Sequence, residues 1–355
     1  MQKHVFVGMS GGVDSSVTAA LLKRQGFSVT GIMMKLWSMP GSDAANRCCT
    51  PDSLMIARQV ADLLAIPFIT IDAQEIFRDT VVEDFIHGYL DGSTPNPCIL
   101  CNRAIRWGYL LDYVIANGAD YLATGHYARL HKDEHGRIQL MRALDESKDQ
   151  SYVLHQLTQD QLTKTLFPLG EYKKTEVRQL ANEFGLSIAD QDDSQDLCFI
   201  GDYNYRDFLI QYAPRSIQPG PIVTTSKEII GEHQGLAFYT IGQRKGIGIS
   251  SPYPLYVIQK DMTENSLIVG SKDELGRNES ETEKFNWISG QASEKPFEAQ
   301  VKIRYKSELS SAIVEPISGN RVKIHFEKAL RDITPGQSAV IYDGDICLGG
   351  GKIIS

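Results

Sequence analysis

Two thiols stand three residues apart in Thr94-Pro95-Asn96-Pro97-Cys98-Ile99-Leu100-Cys101-Asn102, behind a pair of prolines that stiffen the approach. A C-x-x-C pair of this kind suits a redox couple, half a zinc site or ligands to an iron–sulfur cluster. The spacing places Cys101 in the first turn of a helix, where the positive end of the dipole favours thiolate. A third thiol, Cys198, follows the acidic run Asp190 to Asp196 and sits among Leu197, Phe199 and Ile200, surroundings that by themselves suggest core packing. The neighbours Cys48 and Cys49 lack the spacing of a ligand pair and read as structural.

The other reactive string lies near the start. Val5-Phe6-Val7 stops in Gly8-Met9-Ser10-Gly11-Gly12-Val13-Asp14-Ser15-Ser16, and an amphipathic helix with Val17, Ala20, Leu21 and Leu22 follows. Strand, turn and helix start then aim several backbone N–H groups at one spot, an anion site. Ser10, Ser15 and Ser16 add hydroxyl donors, and Asp14 could hold a metal or orient the loop. The G-x-x-x-x-G-K-[ST] spacing and its lysine are missing, so the loop is not a Walker A motif.

The elements needed to present these groups follow from periodicity and breakers. Strands are expected at residues 27–34, 67–71 and 119–124, and helices at 53–64 (capped by Thr50 or Asp52), 74–89, 101–117 and 173–184. Gly118 and Gly185 end the last two helices. Such alternation predicts a mostly parallel sheet with helices on both faces and ligands at the carboxyl ends of its strands, where the Ser10 loop and Gly125-His126 would lie. Beyond about Arg206 short β segments punctuated by Gly and Pro take over, and the last 75 residues read as a small barrel.

Composition narrows the class. The chain has 355 residues, 42% of them hydrophobic, enough for two or three ordinary domains. No apolar run approaches a membrane span and nothing precedes the first strand that resembles a signal peptide, so a cytoplasmic protein is expected. Six cysteines in a chain this long are not a disulfide framework. A net charge of −8 argues against indiscriminate nucleic-acid binding and leaves room for a local basic surface.

The Ser10–Ser16 string resembles the S-G-G-x-D-S pyrophosphate loop of the PP-loop ATP pyrophosphatases. Several further strings occur in the order seen in the tRNA-specific 2-thiouridylases: Pro95-Asn96-Pro97, Cys101-Asn102, Thr124-Gly125-His126-Tyr127, Asp149-Gln150-Ser151-Tyr152 and Cys198-Phe199-Ile200-Gly201. Gly242-Gln243-Arg244-Lys245-Gly246, Arg304-Tyr305 and Pro335-Gly336-Gln337 are similar as well, so the resemblance spans the whole chain.

That resemblance implies ATP-dependent replacement of the C2 oxygen of the wobble uridine in lysine, glutamate and glutamine tRNAs by sulfur, through an adenylated base, with Mg²⁺ accompanying the triphosphate. It implies that Gly8, Met9, Ser10, Gly11, Gly12, Val13, Asp14 and Ser15, with Met34 and Gly125, surround ATP. Asn96, Pro97 and Cys98 match the strip that meets the target base. His126, Lys148, Asp149, Gln150, Arg304, Tyr305 and Gln337 match tRNA-contacting positions. Cys101 resembles the family's persulfide-bearing nucleophile and Cys198 its partner, which releases the sulfur or closes a Cys101–Cys198 disulfide. An upstream sulfur donor, such as a cysteine desulfurase or relay protein, is implied too.

This chain departs from many members of the family at Cys98, where they carry Asp. Cys98, Cys101 and Cys198 could therefore supply three thiolates to a [4Fe–4S] cluster, an alternative to the persulfide route. The fold implied is an α/β, Rossmann-like PP-loop domain (adenine nucleotide alpha hydrolase-like) over 1–205, a β-rich central domain over 206–280 and a tRNA-contacting C-terminal β-barrel over 281–355. Two other readings compete. One is a different PP-loop adenylating enzyme, an amidotransferase-type synthetase or a tRNA lysidine synthase, although nitrogen transfer needs no thiols. The other is a non-catalytic tRNA-binding protein, which would not need Ser10, Asp14 and Cys101 together.

Overall fold

The computed structural model describes residues 2–39, 50–188, 197–201, 203–214 and 217–355. Cys48, Cys49 and the acidic run Asp190 to Asp196 lie outside the described residues. The N-terminal part alternates as its periodicity predicts: β1 (His4–Gly8), α1 (Val13–Arg24), β2 (Ser28–Lys35), α2 (Pro51–Leu63), β3 (Phe68–Asp72), α3 (74–90), α4 (97–116) and β4 (Tyr121–Thr124). Thr50 caps α2 by accepting the Ser53 N–H, with Pro51 in the first turn where its missing N–H costs nothing. Gly118 closes α4 at φ +83°.

After β4 comes a hairpin that periodicity did not reveal, β5 (Arg129–Lys132) and β6 (Ile138–Met141), then α5 (Ser151–Leu154), β7 (Thr165–Leu166) and α6 (Lys174–Glu183). The first sheet is parallel throughout, in the order β3-β2-β1-β4-β7. β1 therefore lies between β2 and β4, and the crevice where the winding reverses opens at their carboxyl ends. Val5 and Val7 on β1 pack with Val17 and Leu21 of α1 on one face of the sheet, while Phe6 joins Trp107 and Leu110 of α4 on the other.

One further helix, α7 (Tyr205–Tyr212), opens the part expected to be β-rich; Asn204 caps it through the Arg206 and Asp207 N–H groups. Four strands follow, β8 (Gly220–Thr224), β9 (Ile229–His233), β10 (Tyr256–Asp261) and β11 (Ser266–Gly270), in the order β10-β11-β8-β9. The last six are β12 (Arg277–Trp287), β13 (Phe297–Lys302), β14 (Ser310–Ile317), β15 (Arg321–Leu330), β16 (Ser338–Asp343) and β17 (Ile346–Ile353). They run antiparallel in the order β12-β15-β14-β13-β16-β17, and β17 pairs back with β12 to close a barrel. Closure removes free edges, and Val314, Ile324, Ala339 and Ile341 fill the interior.

The early hairpin extends this barrel. β6 pairs with β17 through Ile346↔Met141 and Cys347↔Leu140. The 149–159 segment is bonded to the barrel as well: Tyr152 Oη donates to Ser338 O (2.9 Å), and Asn286 Nδ2 donates to His155 O (2.8 Å) and Leu157 O (3.0 Å). The Tyr152 hydroxyl and three main-chain carbonyls are thus satisfied across the joint. Among the described residues, no helix is long and apolar enough to cross a membrane.

Candidate active site

The phosphate loop occupies the carboxyl end of β1. Met9 N–H donates to Ile32 O of β2 (2.8 Å), and Gly8 pairs with Ile32 and Thr124, so Met34 of β2 and Gly125, just past the end of β4, lie near the loop. The loop is tied by its own hydroxyls. Ser10 N–H donates to Ser15 Oγ (3.2 Å), while Ser15 and Ser16 Oγ donate to Gly12 O (3.1 and 2.9 Å).

Its two glycines differ in what requires them. Gly11 sits at φ +78°, and a Cβ there would lie 2.5 Å from Ser53 O on α2. Gly12 has an extended backbone at φ −89°, and a Cβ there would meet only Ser10 Oγ at an ordinary 3.6 Å. The protein needs the first glycine; the second leaves an open space in the cradle. Gly125 is needed for close approach, since a Cβ there would lie 2.9 Å from Asp14 C and Ser15 N.

Asp14 does not point into an empty metal site. Its Oδ1 accepts from Tyr127 Oη (2.7 Å) and Lys174 Nζ (2.7 Å), and its Oδ2 accepts from the same Nζ (2.9 Å). Of the two roles the sequence left open, this arrangement favours orientation of the loop. Tyr127 stands in the Thr124-Gly125-His126-Tyr127 string with no role of its own, and no motif singles out Lys174. The available signal was a Lys-Lys pair at a helix start, where acidic residues are favoured.

Cys98 and Cys101 lie on α4, and Cys198 lies in the segment that precedes α7. Asn96 and Pro97 open α4, with Pro97 in the first turn. The helix thus begins earlier than expected, and Cys98, not Cys101, occupies its first turn. Cys98 is exposed, Cys101 buried and Cys198 half-buried. Cys101 opens a π-helical stretch, Cys101–Leu110, after which Leu111 N–H donates five residues back to Arg106 O. Such irregular turns recur at functional sites.

Cys101 belongs to an apolar cluster with Phe77, Phe85, Phe199 and Phe208, and Cys198 packs against it. Phe199 holds the Cys198 segment there through edge-on contacts with Phe85 (5.3 Å) and Phe208 (5.7 Å). The apolar neighbours that suggested core filler are thus what bring Cys198 to the Cys101 cluster.

The strip before α4 is clasped by the barrel. Thr94 N–H donates to Pro335 O (2.8 Å), Gln337 Nε2 donates to Thr94 O (2.8 Å), and a Cβ on Gly336 would lie 2.7 Å from Thr94 N. Tyr305 stands beside Cys98: burial first, then the Asp149 carboxylate and the Cys98 thiol, push its hydroxyl up to about 12. Arg304 donates to Ile241 O (3.2 Å) and to Thr334 Oγ1, bridging central domain and barrel.

The remaining expected RNA contacts are more embedded than their types suggested. Asp149 is 4% exposed and accepts from Ala143 N–H, Ser151 N–H and Ser151 Oγ. Gln150 Oε1 accepts the Tyr127 N–H (2.9 Å), and Lys148 N–H donates to Asp145 O. His126 Nδ1 is 2.7 Å from Thr124 Oγ1, with Trp107 and Phe167 around its ring. Burial, reinforced by the Arg106 guanidinium, holds it well below the usual histidine range, so it is neutral at physiological pH.

Among the described residues, no three His, Cys, Asp or Glu side chains come together to hold a metal ion.

Comparison with known proteins places these features together. Residues 3–202 match the family described as tRNA methyl transferase HUP domain, 206–271 the tRNA methyl transferase PRC-barrel domain and 277–353 the Aminomethyltransferase beta-barrel domain. The tRNA-specific 2-thiouridylase MnmA of Clostridioides difficile is 42% identical over 99% of this chain and 98% of its own length. MnmA 1 of Caldanaerobacter subterraneus is 45% identical over 99% and 98%, and MnmA of Magnetococcus marinus 45% identical over 99% of each chain.

Proposed function

The chain belongs to the tRNA-specific 2-thiouridylase family, and from that premise we propose that it exchanges the C2 oxygen of a tRNA wobble uridine for sulfur at the expense of ATP. The observation that carries this reading is the loop at the reversal point of the parallel sheet, with an open cradle at Gly12. A uridine carbonyl oxygen is a poor leaving group. Attack of O2 on the α-phosphate, with loss of pyrophosphate, turns it into a phosphoester that departs as AMP. The loop amides and the Ser10 hydroxyl stabilise the charge that develops on the phosphates. Mg²⁺ accompanies the triphosphate and offsets its charge.

Cys101 is the sulfur carrier. As a persulfide its terminal sulfur attacks C2 and expels AMP; Cys198 then attacks the Cys101 sulfur, closing a disulfide and freeing the 2-thiouridine. Their common apolar cluster supports this pairing. Asn96, Pro97 and Cys98 meet the base, with Tyr305 above them. Lys148, Arg304 and Tyr305 face the RNA. Asp149, Gln150 and Gln337, all engaged with protein groups, hold the contacting segments in place; neutral His126 offers a ring nitrogen near the end of β4. Cys98, Cys101 and Cys198 would supply the thiolates of the [4Fe–4S] alternative, and no step is routed through it. A division near 205 and 280 is supported by sheet membership, with hairpin β5–β6 as the exception that couples the first part to the barrel.

The test is nucleotide cleavage with unmodified glutamate tRNA. AMP and pyrophosphate should appear only when the tRNA carries uridine at the wobble position. Cleavage to ADP, or cleavage that ignores the wobble base, would overturn the proposal.

A further inference from the structure

A lysine is poorly suited to open a helix, because the unpaired amides there already form a positive pole. α6 nevertheless begins at Lys174, directly after Lys173. The helix end is satisfied by acids: Asp145 Oδ2 accepts the Lys174 N–H (2.9 Å) and Glu176 Oε2 the Lys173 N–H (2.7 Å). The Lys174 side chain turns inward, 10% exposed, and reaches across to α1. There its Nζ bonds both oxygens of Asp14, at 2.7 and 2.9 Å, and lies 5.8 Å from the centre of the Tyr127 ring, whose hydroxyl holds Asp14 Oδ1.

Removing an ammonium group from water is costly unless a partner compensates it. The partner is the one carboxylate of the phosphate loop. Left alone, that carboxylate would set a negative charge against an incoming triphosphate and offer its oxygens to the loop's own N–H donors. Gly125 presses on the Asp14 and Ser15 backbone from the other side, so the carboxylate is held between β4 and α6.

We infer that Lys174 is a positioning residue of the nucleotide site: by pairing with Asp14 it cancels that charge and keeps the carboxylate out of the cradle, leaving the loop amides to the triphosphate. Tyr127 fixes the same carboxylate from its second side. This inference rests on the nucleotide reading of the loop.

The experiment is calorimetric titration of the full chain with ATP·Mg²⁺ and, separately, with adenosine, which has no phosphates. K174M should weaken ATP at least tenfold and leave adenosine within twofold. D14N/K174M, which like the wild type carries no net charge at this pair, should bind ATP within threefold of wild type. If K174M binds ATP as wild type does, or loses adenosine in parallel with ATP, the inference fails, the second result showing a structural role only. A tenfold or larger loss in D14N/K174M relative to wild type also overturns it, because the pair would then contact the nucleotide itself. That last comparison, made between two charge-neutral arrangements, decides the matter even where K174M alone does not fold. Wild-type protein that binds no ATP would instead remove the nucleotide reading on which the inference stands.

Discussion

Substituting alanine at each of the adjacent glycines of the phosphate loop should separate what the fold requires from what the ligand requires. At Gly11 the new Cβ would lie 2.5 Å from Ser53 O and 2.9 Å from Ser53 Cα, on a backbone at φ +78°. The left-handed conformation costs ~1–2 kcal/mol for a non-glycine residue, and forcing a methyl against fixed backbone costs ~1–3 kcal/mol more. Gly11→Ala should therefore lose about 2–5 kcal/mol, seen as a melting temperature lower by roughly 5–10 °C. At Gly12 the Cβ would meet only Ser10 Oγ at 3.6 Å on an extended backbone. Alanine is a slightly poorer N-cap but restricts the unfolded chain, so stability should stay within ~1 kcal/mol of wild type. Its methyl would, however, stand where a phosphate oxygen must approach the amides. ATP affinity should fall at least tenfold, about 1.4 kcal/mol. Calorimetric melts and ATP titrations of both variants provide the measurement. The reasoning is refuted if Gly12→Ala binds ATP normally, or if it destabilises the protein as much as Gly11→Ala does.

Other consequences concern the joint between domains. His155 is fully buried; its Nδ1–H donates to Tyr152 O (2.7 Å), and Nε2 has no hydrogen-bond partner among the described residues. Burial pulls its pKa down from 6.5 to about 4. The folded state thus binds fewer protons than the unfolded one, and stability held above pH 6.5 should drain away as pH falls toward 4, by up to about 3 kcal/mol. His155→Asn should show a flatter pH dependence of the urea midpoint over that window, and parallel slopes would disprove the assignment. Arg304→Ala should weaken tRNA binding and leave ATP binding unchanged, as read by gel shift and calorimetry; equal tRNA affinity would count against it. Gln337→Ala breaks the bond to Thr94 O, worth ~1 kcal/mol. It should slow thiolation roughly fivefold with ATP affinity intact, and unaltered turnover would show that the clasp does not matter.

Local chemistry explains which features could be read in advance. The phosphate loop, the Thr50 cap and the Gly118 stop each lie within a few residues of the groups they organise, so composition and period disclosed them. Hairpin β5–β6 did not show itself as part of the barrel, because its partner strand lies about two hundred residues later and pairing across that separation leaves no periodic mark. Lys174 was missed for the same reason: it meets Asp14 across 160 residues. Asp149 shows a different limit. A carboxylate in a loop looks solvent-facing, yet here it caps Ala143 and Ser151 from inside. Periodicity starts α4 at Cys101, whereas Pro97 already serves as a first-turn residue, its missing N–H costing nothing there. For the cysteines, residue type suggested the chemistry, but only tertiary packing distinguishes the Cys101–Cys198 cluster from exposed Cys98.

The central claim is that sulfur reaches an ATP-activated uridine through Cys101. It is tested most directly by anaerobic thiolation of unmodified glutamate tRNA with ATP and Mg²⁺, scoring 2-thiouridine by mass spectrometry. Metal-free protein charged with persulfide is compared with iron–sulfur-reconstituted protein given sulfide. The account predicts product from the metal-free, persulfide-charged protein and none once Cys101 or Cys198 is replaced by serine. Product only after reconstitution, or no 2-thiouridine in either arm, would contradict it.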